Sequence, residues 1–368
     1  MKQTPLIEQH RVHRAKLVDF AGWEMPIQYA SVVEEYRHVR QTAGLFDVSH
    51  MGRIHVAGQG ALQFLQRMTT SNVAAIPLLG SQYSMVCNSR GGIKDDVFIY
   101  HTKPSEYMIC VNASNRTKLI NWFHEHGNSP SIDIRDESDN VAQLALQGPA
   151  SSMVLDNAGL RDVVCLKPRT ALPATIHGEA CFISRTGYTG EPGWELYVPA
   201  RLASVIWEDL LKAGQYAALS PAGLAARDLL RLEMGYLLYG NDISEDITPL
   251  EANASWVIDF NKGDFIGRAA LIDQQRKPPD KILIAFELLD KAVPRHGFHI
   301  LDPASLQPIG EVTSGNLSPL LQKGIGLGYV RALFAKVDTA IAIEIRGKVL
   351  SAVVVKPPFY KRPKTAPP

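Results

Sequence analysis

Two adjacent acids, Asp95 and Asp96, lie where a double-glycine turn leads into an apolar strand pattern at 97–100. Side chains alternate between the faces of a strand, so Asp95 shares one face with aliphatic residues and Asp96 shares the other with Tyr100. We expect the aliphatic face to pack in the core and Asp95 to reach water from the strand start. Asp96 is then expected to face a cleft beside an aromatic ring. The alternative is that both acids are ordinary turn residues.

A glycine-rich segment, 185–193, forms a second candidate and holds three glycines around Tyr188. It leads into a strand pattern at 194–198, in which apolar residues alternate with Glu195 and Tyr197. A carboxylate beside aromatic rings can accept two hydrogen bonds from an amidine-like edge, as in a pterin or a purine. The alternative is a solvated strand face.

Two arginines, Arg227 and Arg231, are four residues apart in the clearest helical pattern and share one helix face. Asp228 is placed to pair with Arg231. A guanidinium that faces a cleft would hold a carboxylate or an oxo group through two hydrogen bonds. The alternative is ordinary surface pairing.

Other reactive residues lack a pattern that supports chemistry. Ser49 and His50 are adjacent on a predicted strand and point apart, so we do not expect a nucleophile–base pair. The four cysteines form no CxxC and the histidines form no metal-ligand set, so we predict no metal site. The glycines of 324–328 lack the spacing and the following helix of a dinucleotide-binding loop, which argues against NAD binding there.

Composition narrows the class of protein. The 368 residues carry 38 Lys+Arg and 37 Asp+Glu, a formal charge of +1, which predicts no general attraction to nucleic acid or to an anionic membrane. No apolar run is long enough for a membrane span. The first residues show neither a secretion signal nor a transit pattern, and cysteines are sparse, so we expect a cytoplasmic protein.

The elements that would position these residues form an α+β pattern followed by a small all-β region. We predict helices at 61–68, 116–126, 207–213 and 221–236, the last with Pro221 in its first turn, and strands at 83–87, 97–100, 107–111, 141–146 and 194–198. A polar stretch at 274–280 is predicted to be a linker. Five short strands follow, typical of a barrel or sandwich, at 282–288, 310–314, 325–330, 340–345 and 352–356.

Together these segments resemble the aminomethyltransferase family, the T-proteins of the glycine cleavage system, along nearly the whole chain. The motifs that carry the resemblance are VDFAGWEMP at 18–26, GLFDVSHMG at 44–52, GGI at 91–93 with the acid pair 95–96, QGP at 147–149, RTGYTGE at 185–191, ARD at 226–228, DFIGR at 264–268 and TSG at 313–315.

The resemblance implies three lobes around a central cavity that holds tetrahydrofolate. Residues 1–273 would form the folate-binding region, as two intertwined α+β lobes with the second at roughly 52–138, and 281–362 would form a C-terminal all-β barrel domain. The family transfers the one-carbon unit of an aminomethyl group from the lipoyl arm of H-protein to tetrahydrofolate. The products are 5,10-methylenetetrahydrofolate, ammonia and dihydrolipoyl H-protein. Neither a metal, NAD nor a flavin is implied.

The family's site residues map onto this chain by motif. The catalytic aspartate corresponds to Asp96, the pterin-anchoring acid to Glu195 and its arginine to Arg227. The other positions that the resemblance assigns to the folate cavity are Met51, Tyr83, Tyr100, Asn112, Tyr188, Arg295 and Arg362.

One departure lies beside the acid pair, where Lys94 replaces an aliphatic residue. We expect its stem to pack and its ammonium to reach solvent; the alternative is a pair with Asp96 that would hold the acid ionised. Other members of the fold remain as alternatives, namely a folate-dependent demethylase of another methyl donor and a non-catalytic folate binder. Asp264 replaces the cysteine of the related iron–sulfur assembly proteins, which argues against that role.

Overall fold

The computed structural model describes residues 1–277 and 279–362. The chain forms two compact units. The first consists of Met1–Val86, Asp95–Arg227 and Asp259–Phe265, and the second of Cys87–Lys94, Asp228–Ile258 and the residues from Ile266 onward. The expected division into regions 1–273 and 281–362 stays a prediction.

Fourteen strands build three open sheets in the first part of the chain: β1 (Lys2–Gln3), β2 (Lys16–Phe20), β3 (Trp23–Gln28), β4 (Ala43–Asp47), β5 (Gly52–Ala57), β6 (Ser81–Cys87), β7 (Ile93–Lys103), β8 (Glu106–Val111), β9 (Asp133–Asp136), β10 (Val141–Gln147), β11 (Ala171–Ile176), β12 (Glu179–Ser184), β13 (Gly193–Pro199) and β14 (Leu219–Pro221). The sheet orders are β1-β3-β2, β11-β12-β13-β10-β4-β14 and β6-β7-β8-β5-β9.

The α-helices of the described residues are α1 (Ile7–Val12), α2 (Val32–Gln41), α3 (Ala61–Met68), α4 (Arg116–His126), α5 (Ser151–Asn157), α6 (Arg161–Val164), α7 (Ala203–Ala213), α8 (Leu224–Glu233) and α9 (Arg268–Arg276). The predicted helices at 61–68 and 116–126 are confirmed. The prediction for 221–236 is too long. Pro221 ends β14, where it pairs with Leu45 of β4, so the helix begins three residues later.

A large apolar cluster of the first unit lies on one face of the six-stranded sheet. Leu144 of β10 lies opposite Leu196 of β13, and Trp194 and Trp207 pack in the same cluster. The indole N–H of Trp194 donates to Val163 O at 2.9 Å, so this large side chain is buried without an unsatisfied donor. The apolar face predicted for 194–198 is therefore confirmed.

A closed barrel of six strands forms the core of the second unit. Its strands are β15 (Lys281–Leu288), β16 (His299–Leu301), β17 (Pro308–Ser318), β18 (Lys323–Arg331), β19 (Ala340–Ile345) and β20 (Lys348–Val355), in the order β15-β18-β17-β16-β19-β20. The sequence predicted five of them. It missed β16, because three residues are too short for an alternating pattern. The predicted linker at 274–280 is also too long, since α9 continues to Arg276.

Arg53, at the start of β5, is a buried cation that organises the loop before it. Its side chain is 1% exposed, and its guanidinium donates to four backbone carbonyls, those of Ser49, Met51, Ser138 and Val141. Backbone carbonyls that lose their donor inside a protein pay the desolvation cost without compensation. Arg53 therefore holds the 49–51 loop against the start of β10.

Replacing Arg53 by methionine is expected to lower the free energy of unfolding by about 3–5 kcal/mol, because four carbonyls lose a charged donor and the aliphatic volume is kept. Urea unfolding of the full chain measures this. The control is Arg161→Met, since that side chain is 81% exposed and should change stability by under about 0.5 kcal/mol. Equal stabilities of the two variants would contradict the role of Arg53.

Candidate active site

The acid pair lies near the start of β7, and the two carboxyls have different surroundings. Asp95 is fully buried, while Asp96 is half-buried. The expectation that Asp95 reaches water is wrong. The strand face holding Val97 and Ile99 is covered from its first residue, and polar side chains enclose the Asp95 carboxyl there.

Asn112, which follows β8, joins the two acids. Its side-chain N–H₂ donates to Asp95 Oδ1 at 2.8 Å and to Asp96 Oδ1 at 2.7 Å. Its backbone N–H donates to Asp95 Oδ2 at 3.0 Å, and Asn115 adds a donor to Asp95 Oδ1 at 2.6 Å. Asp95 thus fixes the rotamer of Asn112, and Asn112 fixes Asp96.

The second oxygen of Asp96 is held from β6. The Tyr83 hydroxyl donates to Asp96 Oδ2 at 3.0 Å. Burial, and then the adjacent Asp96 carboxyl, raise the pKa of Tyr83 well above its usual range, so the phenol remains a donor. Both carboxylate oxygens of Asp96 therefore have a fixed neutral donor, which orients the group. The aromatic residue that orients Asp96 comes from the neighbouring strand β6.

Asp95 makes folding pH-dependent. Burial, and then the Asp96 carboxyl, raise the pKa of Asp95 from 3.8 to about 8. A raised pKa means that the folded chain binds this proton more tightly than the unfolded chain. The stability from this group is thus fully present below pH 3.8 and is lost as the pH rises through about 8.

The variant Asp95→Asn should therefore gain in stability relative to wild type as the pH rises from 5 to 8. The gain is at most about 1.4 kcal/mol per pH unit, whatever constant cost the amide adds. Urea unfolding at pH 5, 6.5 and 8 measures the difference. A difference that is constant across these pH values would show that Asp95 does not titrate there.

Glu195 on β13 lies among hydrogen-bond donors. Glu195 is only 9% exposed, so the alternative of a solvated strand face is wrong. Gln143 donates to Glu195 Oε1 at 3.0 Å. Thr186 donates to Oε2, and the Tyr100 hydroxyl lies 3.4 Å from the same oxygen. This is a buried carboxylate that only accepts.

Aromatic rings surround this carboxylate, as predicted for a flat heterocycle. Tyr100 meets Tyr197 and Phe182 edge-on, with ring centroids 5.6 and 5.8 Å apart, and lies 5.4 Å from Phe98. Met51 packs against the same cluster. Sequence reasoning missed Gln143 and Phe182. A lone glutamine in an otherwise apolar strand, as in VAQLAL, is the signal for the first.

The glycine-rich loop before β13 wraps the side chain of Gln147. A Cβ at Gly187 would lie 2.0 Å from Gln147 Oε1, and one at Gly193 would lie 2.2 Å from Nε2, so a side chain at either position would displace the Gln147 amide. The Thr189 hydroxyl donates to Gln147 Oε1 at 2.9 Å. This close approach fixes the loop that presents Tyr188.

Arg227 lies over the ring of Tyr188, with its guanidinium carbon 4.8 Å from the ring centroid. Its Nη1 is buried and has no hydrogen-bond partner within the described part of the chain. A buried guanidinium nitrogen without an acceptor is costly, which is typical of a group that meets an acceptor on a ligand. Arg231 instead pairs with Asp228 at 2.8 Å and Asp242 at 2.7 Å, within the second unit.

Ser49 and His50 do not form a nucleophile–base pair. The Ser49 hydroxyl meets the backbone of Gln143, accepting from its N–H at 3.1 Å. Burial lowers the pKa of His50 to about 3, so the imidazole is neutral. The ring packs edge-on against Phe20 at 5.5 Å.

Three further predictions concern residues of the second unit. Arg295 and Arg362 are both exposed, and Arg295 donates to Gly315 O at 3.4 Å. The assignment of these two arginines to the folate cavity stays a prediction. Lys94, whose ammonium was expected to reach solvent, is mostly buried and forms an ion pair. That side chain is 12% exposed, and its Nζ lies 3.2 Å from Glu245 Oε2, because the 87–94 segment packs with the residues around Glu245 in the same unit.

The described residues contain neither a metal-binding cluster nor a membrane-spanning helix. No group of three or more His, Cys, Asp or Glu side chains there is arranged to hold a metal ion. Within 1–277 and 279–362, no helix is both long and apolar enough to cross a membrane.

Comparison with known proteins gives a consistent result over the whole chain. The family model described as GCVT N-terminal domain matches residues 6–262, and that of the glycine cleavage T-protein C-terminal barrel domain matches 281–361. An aminomethyltransferase of Halothermothrix orenii is 45% identical over 98% of this chain and 100% of its own length. One of Bacteroides thetaiotaomicron is 43% identical, again over 98% and 100%.

A solved structure is similar over the same extent. The crystal structure of glycine cleavage system aminomethyltransferase T from Bartonella henselae superposes with a TM-score of 0.92 and 33% identity. The alignment covers 98% of each chain.

Proposed function

Because this chain belongs to the aminomethyltransferase family, the T-proteins of the glycine cleavage system, we propose that it moves a one-carbon unit from the lipoyl arm of H-protein to tetrahydrofolate. The chain is a transferase enzyme. In the proposed reaction two folate nitrogens bond to the methylene carbon, and the bonds from that carbon to the lipoyl sulfur and to the amine nitrogen break. The two folate N–H hydrogens complete ammonia and the thiol, so the equation balances.

Asp96 is the proposed catalytic residue, and its surroundings carry the proposal. Tyr83 and Asn112 donate to one carboxylate oxygen each, at 3.0 and 2.7 Å, and so fix the orientation of the group. A carboxylate oriented in this way can take a proton from a folate nitrogen as that nitrogen attacks the carbon. Its half-buried position limits the access of water to a reactive iminium carbon.

Glu195 and Arg227 are proposed to anchor the pterin. Glu195 is an acceptor on both oxygens, which suits the adjacent N–H donors of an aminopyrimidine edge. Arg227 offers a buried N–H without an acceptor, which suits the exocyclic oxo group of the pterin. The ring walls are proposed to be Met51, Tyr100 and Tyr188, which is supported by the aromatic cluster beside Glu195.

The remaining proposals concern partners and organisation. We propose lipoylated H-protein as the protein partner and the cytoplasm as the compartment, supported by the family. We also propose that 1–273 acts as the folate-binding region, with a second lobe at roughly 52–138, and 281–362 as the barrel domain. Arg295 and Arg362 are proposed to reach the folate. No metal, NAD or flavin is required by the proposed chemistry.

A reconstituted assay tests this function. The purified chain is mixed with aminomethyl-loaded H-protein and tetrahydrofolate, and formation of 5,10-methylenetetrahydrofolate and of ammonia is followed. We expect equal amounts of both products, and no turnover when either substrate is omitted. Folate binding without turnover would instead favour a demethylase of another methyl donor or a non-catalytic folate binder.

A further inference from the structure

A glutamine lies at the centre of the buried polar cluster that holds Glu195. Gln143 is 2% exposed in the apolar strand β10. It lies directly opposite Tyr197 of β13, and Ala145, two residues on, lies opposite Glu195. Gln143 is therefore the diagonal neighbour of Glu195 on one sheet face, within reach of a long side chain.

The nitrogen and the oxygen of the Gln143 side-chain amide have different hydrogen-bond partners. Its Nε2 donates to Glu195 Oε1 at 3.0 Å and to the Tyr197 hydroxyl at 3.2 Å. The Cys110 thiol donates to Oε1 at 3.5 Å. The Tyr197 hydroxyl donates in turn to that of Tyr100 at 3.0 Å, which lies within reach of the other oxygen of Glu195.

The thiol gives the amide its direction. Burial, and then the Glu195 carboxylate, raise the pKa of Cys110 to about 12, so this group remains a thiol and donates its proton. Because the Cys110 thiol donates, the amide oxygen Oε1 of Gln143 must face the thiol. The N–H₂ of the same amide then faces Glu195. The reverse orientation would place an amide oxygen against a carboxylate oxygen.

We propose that Gln143, oriented by the Cys110 thiol, is a positioning residue that keeps Glu195 a fixed two-oxygen acceptor for a heterocycle edge with two N–H donors. This inference rests on the proposed function and deepens it, because it assigns the selectivity of the folate site to a residue that acts through Glu195. Gln143 acts on substrate affinity through that carboxylate, so its effect is on KM for tetrahydrofolate rather than on the chemical step.

The variant Gln143→Glu tests this with little change of shape. It replaces the Nε2 donor of Gln143 by an oxygen. The new carboxyl at 143 then lies against the carboxylate of Glu195, where the wild type has an amide. We expect KM for tetrahydrofolate at pH 8 to rise at least about tenfold, as for the loss of a hydrogen bond to a charged group. We expect kcat at saturating folate, and KM for aminomethyl-loaded H-protein, to stay within about threefold of wild type.

The pH profile separates positioning from a structural effect. The two carboxyls of the variant share one proton as the pH falls, which restores a donor toward the folate-binding oxygen. The rise in KM should therefore shrink between pH 8 and pH 6. The groups facing this carboxyl do not titrate in that range: burial raises the pKa of Tyr100, Tyr197 and Cys110, His50 is neutral, and Arg53 and Arg227 carry the nearby positive charge.

Two variants of Cys110 test the same inference without relying on Gln143→Glu. Cys110→Ala deletes the donor that orients the amide, and we expect KM for tetrahydrofolate to rise about three- to tenfold. Cys110→Ser keeps a donor and should restore most of that loss. If Gln143→Glu does not fold, this pair alone decides the inference.

Wild type is measured first, so that failure of the proposed function can be distinguished from failure of the role of Gln143. Absence of folate-dependent turnover in wild type would overturn the proposed function. With wild type active, the inference is overturned if Gln143→Glu shows the KM and pH profile of wild type. It is also overturned if the loss is equal at every pH and extends to H-protein, or if Cys110→Ala and Cys110→Ser have the same KM.

Discussion

Replacing Asp96 by asparagine is expected to lower kcat by about 10²–10⁴-fold, the range for loss of a positioned general base. Asparagine has the same shape but cannot take a proton. The Asn112 N–H₂ can only donate, so the amide nitrogen of the variant turns toward Tyr83, whose hydroxyl can accept. The variant then offers the substrate one acceptor fewer, so we expect KM for tetrahydrofolate to rise as well.

Single-turnover and steady-state assays with loaded H-protein measure this loss. The matched control is Asp133→Asn, because that acid lies in the same unit with its side chain 57% exposed; its kcat should equal that of wild type. Unfolding of Asp96→Asn in urea should remain cooperative, which excludes a folding defect. A variant as active as wild type would mean that Asp96 is the wrong acid.

Replacing Glu195 by glutamine is expected to weaken tetrahydrofolate binding by about 10–100-fold, the effect of losing hydrogen bonds to a charged group. The carboxylate accepts from Gln143 on one oxygen and from Thr186 on the other. The N–H₂ of a glutamine at 195 cannot accept from Gln143, so it turns toward the Thr186 hydroxyl, which can accept. The variant therefore loses the negative charge and one acceptor for the ligand.

Equilibrium binding of tetrahydrofolate under anaerobic conditions measures this effect, and kcat at saturating folate should fall much less than KM rises. Glu179→Gln is the control, because this residue lies on the neighbouring strand β12 with its side chain 44% exposed. Unchanged folate affinity in Glu195→Gln would remove Glu195 from the site and leave the pterin without its proposed anchor.

The local rules of strand geometry predicted much of the site. Alternation placed Glu195 and Tyr197 opposite the apolar face of β13, and both lie in the polar cluster with Tyr100. The same rule placed Val97 and Ile99 in the core. Such predictions succeed because the direction of a side chain on a strand depends on the strand's own backbone alone.

Predictions about partners across the fold were less successful. The sequence placed Asp95 in contact with water, but Asn112 and Asn115 enclose it from residues 17 and 20 positions away. Lys94 was predicted to reach solvent, yet it pairs with Glu245, 151 positions along the chain. Pro221 has a typical helix-start sequence, but its pairing with β4 makes it the end of a strand.

The sequence by itself determined the family, the α+β fold with its C-terminal barrel, and the acids and arginine that are candidates for chemistry, since residue types and their order are properties of the chain. Only the tertiary structure decided the ionic state and hydrogen-bonding direction of those groups. The high pKa of Asp95, the acceptor state of Glu195 and the orientation of Gln143 depend on burial and on donors from other strands. Desolvation and hydrogen bonding act through distance in space, and folding alone brings these distant residues together.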